Sequence, residues 1–170
     1  MEKINVINRR MKKNANKLSH LNEAGNPRMV DVSAKQVTSR SAIAQATVQF
    51  PPSVFKQLSK NSFLSSKGSI FNTAIIAGTM AAKRTADLIP LCHPLSLSQV
   101  TIQIETAKEL LLITAIIKCE GKTGVEMEAL TAASVAALTV YDMCKALSHD
   151  IIITQTKLIA KKGGESDFER

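Results

Sequence analysis

Between Gly124 and Ala146 the chain reads Gly-Val-Glu-Met-Glu-Ala-Leu-Thr-Ala-Ala-Ser-Val-Ala-Ala-Leu-Thr-Val-Tyr-Asp-Met-Cys-Lys-Ala, a helical stretch whose charges are confined to its two ends. No other feature constrains the fold as strongly. A helix so rich in Ala, Leu and Val has no polar face to turn to water and must be buried by other elements. Glu126 and Glu128 fall in its first turns, Asp142 and Lys145 in its last. Charges carried into a buried neighbourhood are costly unless they are paired or used. The two ends of this helix are therefore the first places to look for chemistry.

What must bury it is set by the rest of the chain. At 170 residues with a hydrophobic fraction of 45%, the protein can build one sizeable core. Aromatic residues make up only 4% and Trp is absent, so that core is aliphatic. The scarcity of aromatics also argues against a surface that stacks nucleic-acid bases. The net charge of +8 is unevenly placed: residues 1–20 hold six basic residues against one acid, leaving +3 for the remainder. Residues 1–20 read as a basic, solvated extension, and residues 21–170 as a single catalytic α+β domain, with no specific nucleic-acid partner expected. No apolar run approaches the roughly 18 residues of a membrane span, and no apolar stretch of signal-peptide type follows the basic N-terminus. Cys92, Cys119 and Cys144 are odd in number and widely spaced, which suits reduced thiols. A cytoplasmic protein is expected.

Along the chain, Asn22 to Pro27 carries a loop signal. Ala42, Ala44, Ala46, Val48 and Phe50 alternate with Ile43, Gln45, Thr47 and Gln49, a half-buried strand stopped by Pro51-Pro52. Residues 53–59 form a short helix, and Ser69 caps a longer one reaching Ala86, with Ile70, Ala74, Ala77 and Ala81 along its apolar stripe. Two prolines make residues 88–95 extended. Val100, Ile102 and Ile104 alternate as a second strand. Residues 110–119, almost continuously apolar, read as a third strand buried on both faces. The long helix follows, and residues 151–160 make a fourth strand. The order β-α-β-β-α-β predicts a ferredoxin-like fold, a four-stranded antiparallel sheet with two helices on one face.

Asp142 and Lys145 are three apart, so their side chains can touch on one helix face. A surface ion pair needs no function. Their apolar neighbours Val140, Tyr141, Met143 and Cys144 point instead to a semi-buried carboxylate and amine, a natural proton acceptor and donor. Glu128 lies 14 residues before Asp142. The two share a face to within about 40°, yet stand about 21 Å apart along the axis. A pocket using both must be completed by a second subunit. Glu126 and Glu128 also fit simple compensation of the helix dipole. His93, fixed between Cys92 and Pro94, reads either as a hydrogen-bonded structural imidazole or as one presented to a ligand. Lys67-Gly68, just ahead of a helix N-terminus, can meet an anion, and Lys161-Lys162 before Gly163-Gly164 is a second basic cluster. Gly121-Lys122-Thr123 fails as a P-loop because position 116 is Ile where Gly is required.

Four segments together resemble the molybdenum cofactor biosynthesis protein C family, whose activity is cyclic pyranopterin monophosphate synthesis. They are Met-Val-Asp-Val-Ser-Ala-Lys (29–35), Ala-Ala-Lys-Arg-Thr (81–85), Asp-Leu-Ile-Pro-Leu-Cys-His-Pro-Leu (87–95), and the run from Gly121 to Ala146. The resemblance implies a lyase that rearranges a cyclised dihydro-GTP to cyclic pyranopterin monophosphate and releases pyrophosphate. It implies a homo-oligomer, a hexamer built as a trimer of dimers, with active sites at subunit interfaces. By position, Asp142 and Lys145 would be catalytic. Leu91, Cys92 and His93 would line the substrate site opposite Met127 and Glu128, with Glu126, Lys67 and Lys161 completing it. The resemblance implies no cofactor; the metal it leaves room for is a magnesium ion travelling with the substrate triphosphate. One departure stands out. The family reads Gly-Gly-Lys-Ser-Gly near its end, whereas here Gly163-Gly164 is followed by Glu165-Ser166-Asp167. The rival readings are a nucleic-acid module, against which the missing aromatics speak, and a nucleotide sensor, which would keep the lysines without needing Asp142 beside Lys145.

Overall fold

Alternation builds the middle of the sheet. Strand β1 (Thr38–Gln49) buries Ala42, Ala44, Ala46 and Val48 on one face, in the phase read from the sequence. The structure, a computed structural model, describes residues 20–22 and 24–170. The N-terminal extension expected over residues 1–20 therefore lies, apart from His20, outside the described residues. Residues 20–31 group by themselves, as a tight loop in which Leu21 bridges Pro27 and the Asn22 side chain accepts from the Asn26 amide at 2.8 Å.

Residues 32–170 carry the rest. Helix α1 (Pro52–Lys60) follows β1 directly, with proline in its first turn. Strands β2 (Leu64–Ser65) and β3 (Gly68–Ser69) pair as a minimal hairpin. Ser69 then caps α2 (Ile70–Lys83) by accepting from the Asn72 amide at 3.3 Å. After the four-residue helix α3 (Thr85–Leu88) come β4 (Leu97–Ala107), β5 (Leu110–Gly121), α4 (Glu126–Cys144), β6 (Ile152–Lys162) and β7 (Phe168–Glu169). The strands are ordered β4-β5-β1-β6-β7, every neighbour antiparallel. The first four are the expected ferredoxin-like sheet. The fifth, two residues long among the described residues, pairs with the end of β6 and had no sequence signal.

Helix α4 is the largest apolar insert in this frame. Ala129, Ala132, Ala133, Ala136, Ala137 and Val140 are fully buried. Alanines contribute little area each, so the layer gains its stability from close approach and dispersion contact. Gly78 of α2 marks that approach. A Cβ there would stand 2.6 Å from Ile102 Cδ1 and 2.8 Å from the Ala132 carbonyl oxygen. The buried stripe of α2 accordingly passes through Ile70, Ala74, Gly78, Ala81 and Ala82, with Ala77 only half-buried.

Two expectations are corrected. Strand β5 is not buried on both faces: Leu111, Ile113, Ala115, Ile117 and Cys119 are buried, while Leu110, Leu112, Thr114 and Ile116 are half-buried. Among the described residues helices cover one face of the sheet, and the apolar residues of the other face broke the alternation that would have shown this. The segment 88–95 is not extended throughout. Helix α2 stops at Lys83, and Thr85 Oγ1 donates to the carbonyls of Ala81 and Ala82 while its own carbonyl starts the turn into α3. A further turn links the Cys92 amide to the Ile89 carbonyl at 3.1 Å. Ile89, which precedes Pro90, is the first residue held in the extended region.

Candidate functional site

The two ends of α4 hold nearly all the residues singled out from sequence, in different surroundings. At its N-terminal end the turn Gly121–Gly124 brings the chain off β5. A Cβ on Gly124 would collide with the Glu126 carboxylate, so the absent side chain is what lets Glu126 fold back. Glu126 Oε1 lies 3.1 Å from Lys161 Nζ, both side chains about two-thirds covered. Glu128 is 3% exposed. Burial pushes its carboxyl up from the usual range, a hydrogen bond to its own backbone opposes this, and the Glu126 charge adds to it.

The sheet delivers the cations to this end. In the antiparallel register Arg40 faces Cys119 and Ala42 faces Lys161. Residues opposite each other, and residues two apart on one strand, share a face. Arg40, Cys119 and Lys161 therefore stand with buried Ala42 on the helix-covered side. Arg40 is anchored by donating from Nε to the Gly121 carbonyl at 3.3 Å and from Nη2 to the Lys122 carbonyl at 3.4 Å. Arg40 escaped the sequence reading although it sits in phase with Ala42, Ala44 and Ala46. A charged residue on the buried phase of a strand was the available signal.

Cys92 joins this end as well. Burial raises its thiol pKa first, and the Glu128 carboxylate raises it further. Cys119 responds to burial and then to the same carboxylate, with Arg40 opposing. Leu91 and His93, half-buried, flank Cys92 in the loop after α3, and Met127 lies between the two glutamates. Two open grooves elsewhere, one along Thr79, Lys83, Leu97 and Val100 and one along Ser53, Lys56 and Lys60, contain none of these residues. Among the described residues no three His, Cys, Asp or Glu side chains gather as metal ligands.

At the other end, Asp142 Oδ1 and Lys145 Nζ meet at 2.6 Å, the contact that their spacing allowed. The surroundings differ from the semi-buried ones expected. Val140 and Cys144 are buried, but Asp142 and Lys145 remain 60% and 54% exposed, because α4's last turn presents them on its uncovered side. Lys145's hydrogen bond, then its charge, holds the Asp142 carboxyl below the usual range; Asp142 in return raises the Lys145 amine. Lys67 adds a smaller downward pull on Asp142. It reaches that neighbourhood from the turn of the β2–β3 hairpin, whose Gly68 has φ +107°. The hairpin is steadied by a run of ring contacts, Phe50–Phe55, Phe55–Phe63 and Phe63–Phe71, with centroids 6.0, 5.6 and 4.6 Å apart. Beneath the pair, burial pushes the Cys144 thiol up to about 11, which leaves it inert at neutral pH.

Glu126, Glu128, Cys92 and Lys161 are thus brought together at one end, and Asp142, Lys145 and Lys67 at the other. Unbroken helix separates Glu128 from Asp142, so about 21 Å of rise still divides the groups within one chain. As it stands, Lys145 is a proton donor; to take up a proton near neutral pH it must lose solvent or its partner.

Comparison with known proteins bears on both ends at once. The sequence model of one family, described as the MoaC family, matches residues 29–164. A protein named cyclic pyranopterin monophosphate synthase from Xanthomonas campestris pv. campestris (strain 8004) is 57% identical over 153 residues, spanning 89% of this chain and 93% of that protein. One of the same name from Xanthomonas oryzae pv. oryzae (strain MAFF 311018) is 56% identical over an equal length, with equal coverage. Molybdenum cofactor biosynthesis protein 1 of Drosophila melanogaster is 51% identical over 160 residues, which span 93% of this chain and 28% of that longer protein.

Proposed function

This chain belongs to the MoaC family, and from that membership we propose that it is a cyclic pyranopterin monophosphate synthase. It would rearrange a cyclised dihydro-GTP (3',8-cyclo-7,8-dihydroguanosine triphosphate) and release pyrophosphate in the biosynthesis of the molybdenum cofactor. The observation that carries the reading is the 57% identity along nearly the whole of both chains. The geometry supports it through the chemistry available at each end of α4.

Closing a cyclic phosphate requires a sugar oxygen to form a bond to the α-phosphorus while the bond to the β-phosphate oxygen breaks. The leaving pyrophosphate takes negative charge with it, and nearby ammonium groups stabilise that charge as it develops. Lys161, Arg40 and Lys67 are among the cations this chain offers. The guanine-derived ring presents an amide and an exocyclic amine, to which Glu126 and Glu128 are suitable acceptors. Leu91, Cys92, His93 and Met127 would shape the wall around it. The ring opening and closure need protons moved between heteroatoms and carbon. Lys145 would do this, donating a proton in one step and, as the free amine, taking one back in the next, while Asp142 holds the amine in place.

Because the two ends are far apart in one chain, the working site would be shared between subunits, with the N-terminal end of one α4 facing the C-terminal end of another. A hexamer arranged as a trimer of dimers satisfies this, and covering the exposed Asp142–Lys145 pair would supply the desolvation that its present setting lacks. The enzyme would be a lyase with no resident cofactor, any magnesium accompanying the triphosphate. Three free thiols suit a reducing cytoplasm. The deciding experiment incubates the purified full-length protein with the cyclised dihydro-GTP and follows pyrophosphate together with the pterin product. Stoichiometric appearance of both is expected; substrate left intact would overturn the assignment.

A further inference from the structure

The tail after β6 continues past Gly164, where the family match ends, with Glu165. It carries that glutamate into a cluster of cations. The turn that presents it is built tightly. Gly163 takes φ +84°, and any Cβ there would collide with the Ser39 carbonyl oxygen. Thr38 Oγ1 donates to the Gly163 carbonyl at 2.9 Å, and the Gly163 amide donates to the Asp167 carboxylate at 3.0 Å. Pairing of Lys161 with Phe168 and of Ala160 with Glu169 closes the far side. A Cβ on Gly164 would stand 3.1 Å from Arg40 Nη1, so the guanidinium lies against the turn itself. From this platform Glu165 Oε1 reaches Lys35 Nζ at 2.8 Å.

The Glu165 side chain is 86% exposed, so it is charge and not packing that keeps it there. Its carboxyl is held below the usual range by Lys35 first, with Arg40 and Lys161 adding smaller contributions. Lys161 is the cation that also pairs with Glu126 at the N-terminal end of α4. Glu165 thus holds one cation directly, Lys35, beside Arg40 and the Glu126-paired Lys161, and occupies a position that an anionic ligand would take.

We propose that Glu165 is a tethered stand-in for substrate phosphate: it occupies an anion-binding cluster of Lys35, Arg40 and Lys161, and a polyphosphate must displace it to bind. The proposal rests on the reading above, in which Lys161 and Arg40 meet the charge of a substrate triphosphate. It makes Glu165 a residue that sets the affinity of this chain for polyphosphate, by competition for Lys35 and by like-charge repulsion. Glu165 touches no reacting atom.

The test is calorimetric titration of inorganic triphosphate, in magnesium-free buffer, into the full-length wild type, Glu165→Gln, the double variant Lys35→Gln/Glu165→Gln, and Glu109→Gln as a control for simple loss of negative charge. Glu165→Gln is expected to bind about threefold to tenfold more tightly at low ionic strength, an advantage that shrinks in roughly 0.5 M salt. The double variant should lose most of that gain, and Glu109→Gln should show none. In turnover, KM should fall in Glu165→Gln while kcat stays level. Equal or weaker binding by Glu165→Gln, a full gain retained in the double variant, or an equal gain in Glu109→Gln would overturn the proposal. Failure of the wild type to release pyrophosphate would instead sink the functional reading and leave the triphosphate titration interpretable.

Discussion

The N-terminal end of α4 is buried and tied to its surroundings within one chain, and the C-terminal end lies exposed. At the first, Glu128 is buried, Glu126 is paired with Lys161, and Arg40 is locked to backbone carbonyls. At the second, Asp142 and Lys145 form a short ion pair that is more than half exposed. An exposed pair of this kind contributes little to folding and has pKa values driven apart, the wrong direction for sharing a proton near neutrality. What the contrast teaches is that the groups proposed to hold substrate are placed by the fold of the chain, whereas those proposed to transfer protons have, in one chain, no surface covering them. The strongest way to break this division is to remove Lys145. Lys145→Ala should lower pyrophosphate release by about 10²-fold to 10⁴-fold, the range general acid–base catalysis spans, with its thermal melting unchanged because the side chain is exposed. Turnover at the wild-type rate would show that the C-terminal pair is a surface ion pair and nothing more.

The next effect tests whether the covering surface is another copy of the chain. Glu128→Gln and Asp142→Asn subunits, each inactive alone, should recover activity when mixed and allowed to exchange. If each site takes Glu128 from one chain and Asp142 from another, random assembly at equal amounts restores about one site in four. A mixture that stays inactive, with exchange verified by mass spectrometry, would confine both ends to separate functions. A smaller effect should touch both ends alike. Gly78 lets α2 lie against the middle of α4, and Gly78→Ala forces a methyl within 2.8 Å of the Ala132 carbonyl oxygen. A loss of about 1–3 kcal/mol in denaturant unfolding is expected from such overpacking. A gain in stability, as helix propensity alone would give, would mean that the contact is looser than described.

The same two ends show what a sequence can disclose. The Asp142–Lys145 contact was legible because helix geometry fixes which side chains three apart can meet, and the Ser69 cap because its chemistry is local. The alternation of β1 revealed the buried face for the same reason. The exposure of the pair was not legible: it depends on which side of α4's last turn the rest of the chain covers, which no local pattern records. Arg40 carries the inward phase but lies ahead of the alternating alanines, where its neighbours Thr38, Ser39 and Ser41 give no apolar contrast. The Lys35–Glu165 pair spans 130 residues of chain, and only the β1–β6 pairing brings its halves together. On β5, Leu110, Leu112 and Ile116 are apolar on the open face, and no periodicity distinguishes an apolar face that is covered by helices from one that is not.

The smallest effect separates the two ends by the sign of their response to pH. Glu128's folded-state pKa lies above its unfolded value, so the folded state holds the proton more tightly. Wild-type stability therefore falls as pH rises from about 4, the ordinary carboxylate value, through that raised pKa, and stays lower above it. Glu128→Gln removes the fall, so its melting temperature relative to wild type should climb across that window and level off beyond it. Asp142 works in the opposite sense. Its folded pKa lies below the ordinary value, so its contribution is present above that value and vanishes as pH drops through the folded pKa. Asp142→Asn should therefore lose ground to wild type as pH rises, and by less, because solvent screens an exposed pair. Melting curves of the three proteins between about pH 3 and pH 8 supply the comparison. Parallel behaviour of the two variants would mean that both carboxylates share one kind of environment, and that burial does not distinguish the ends of α4.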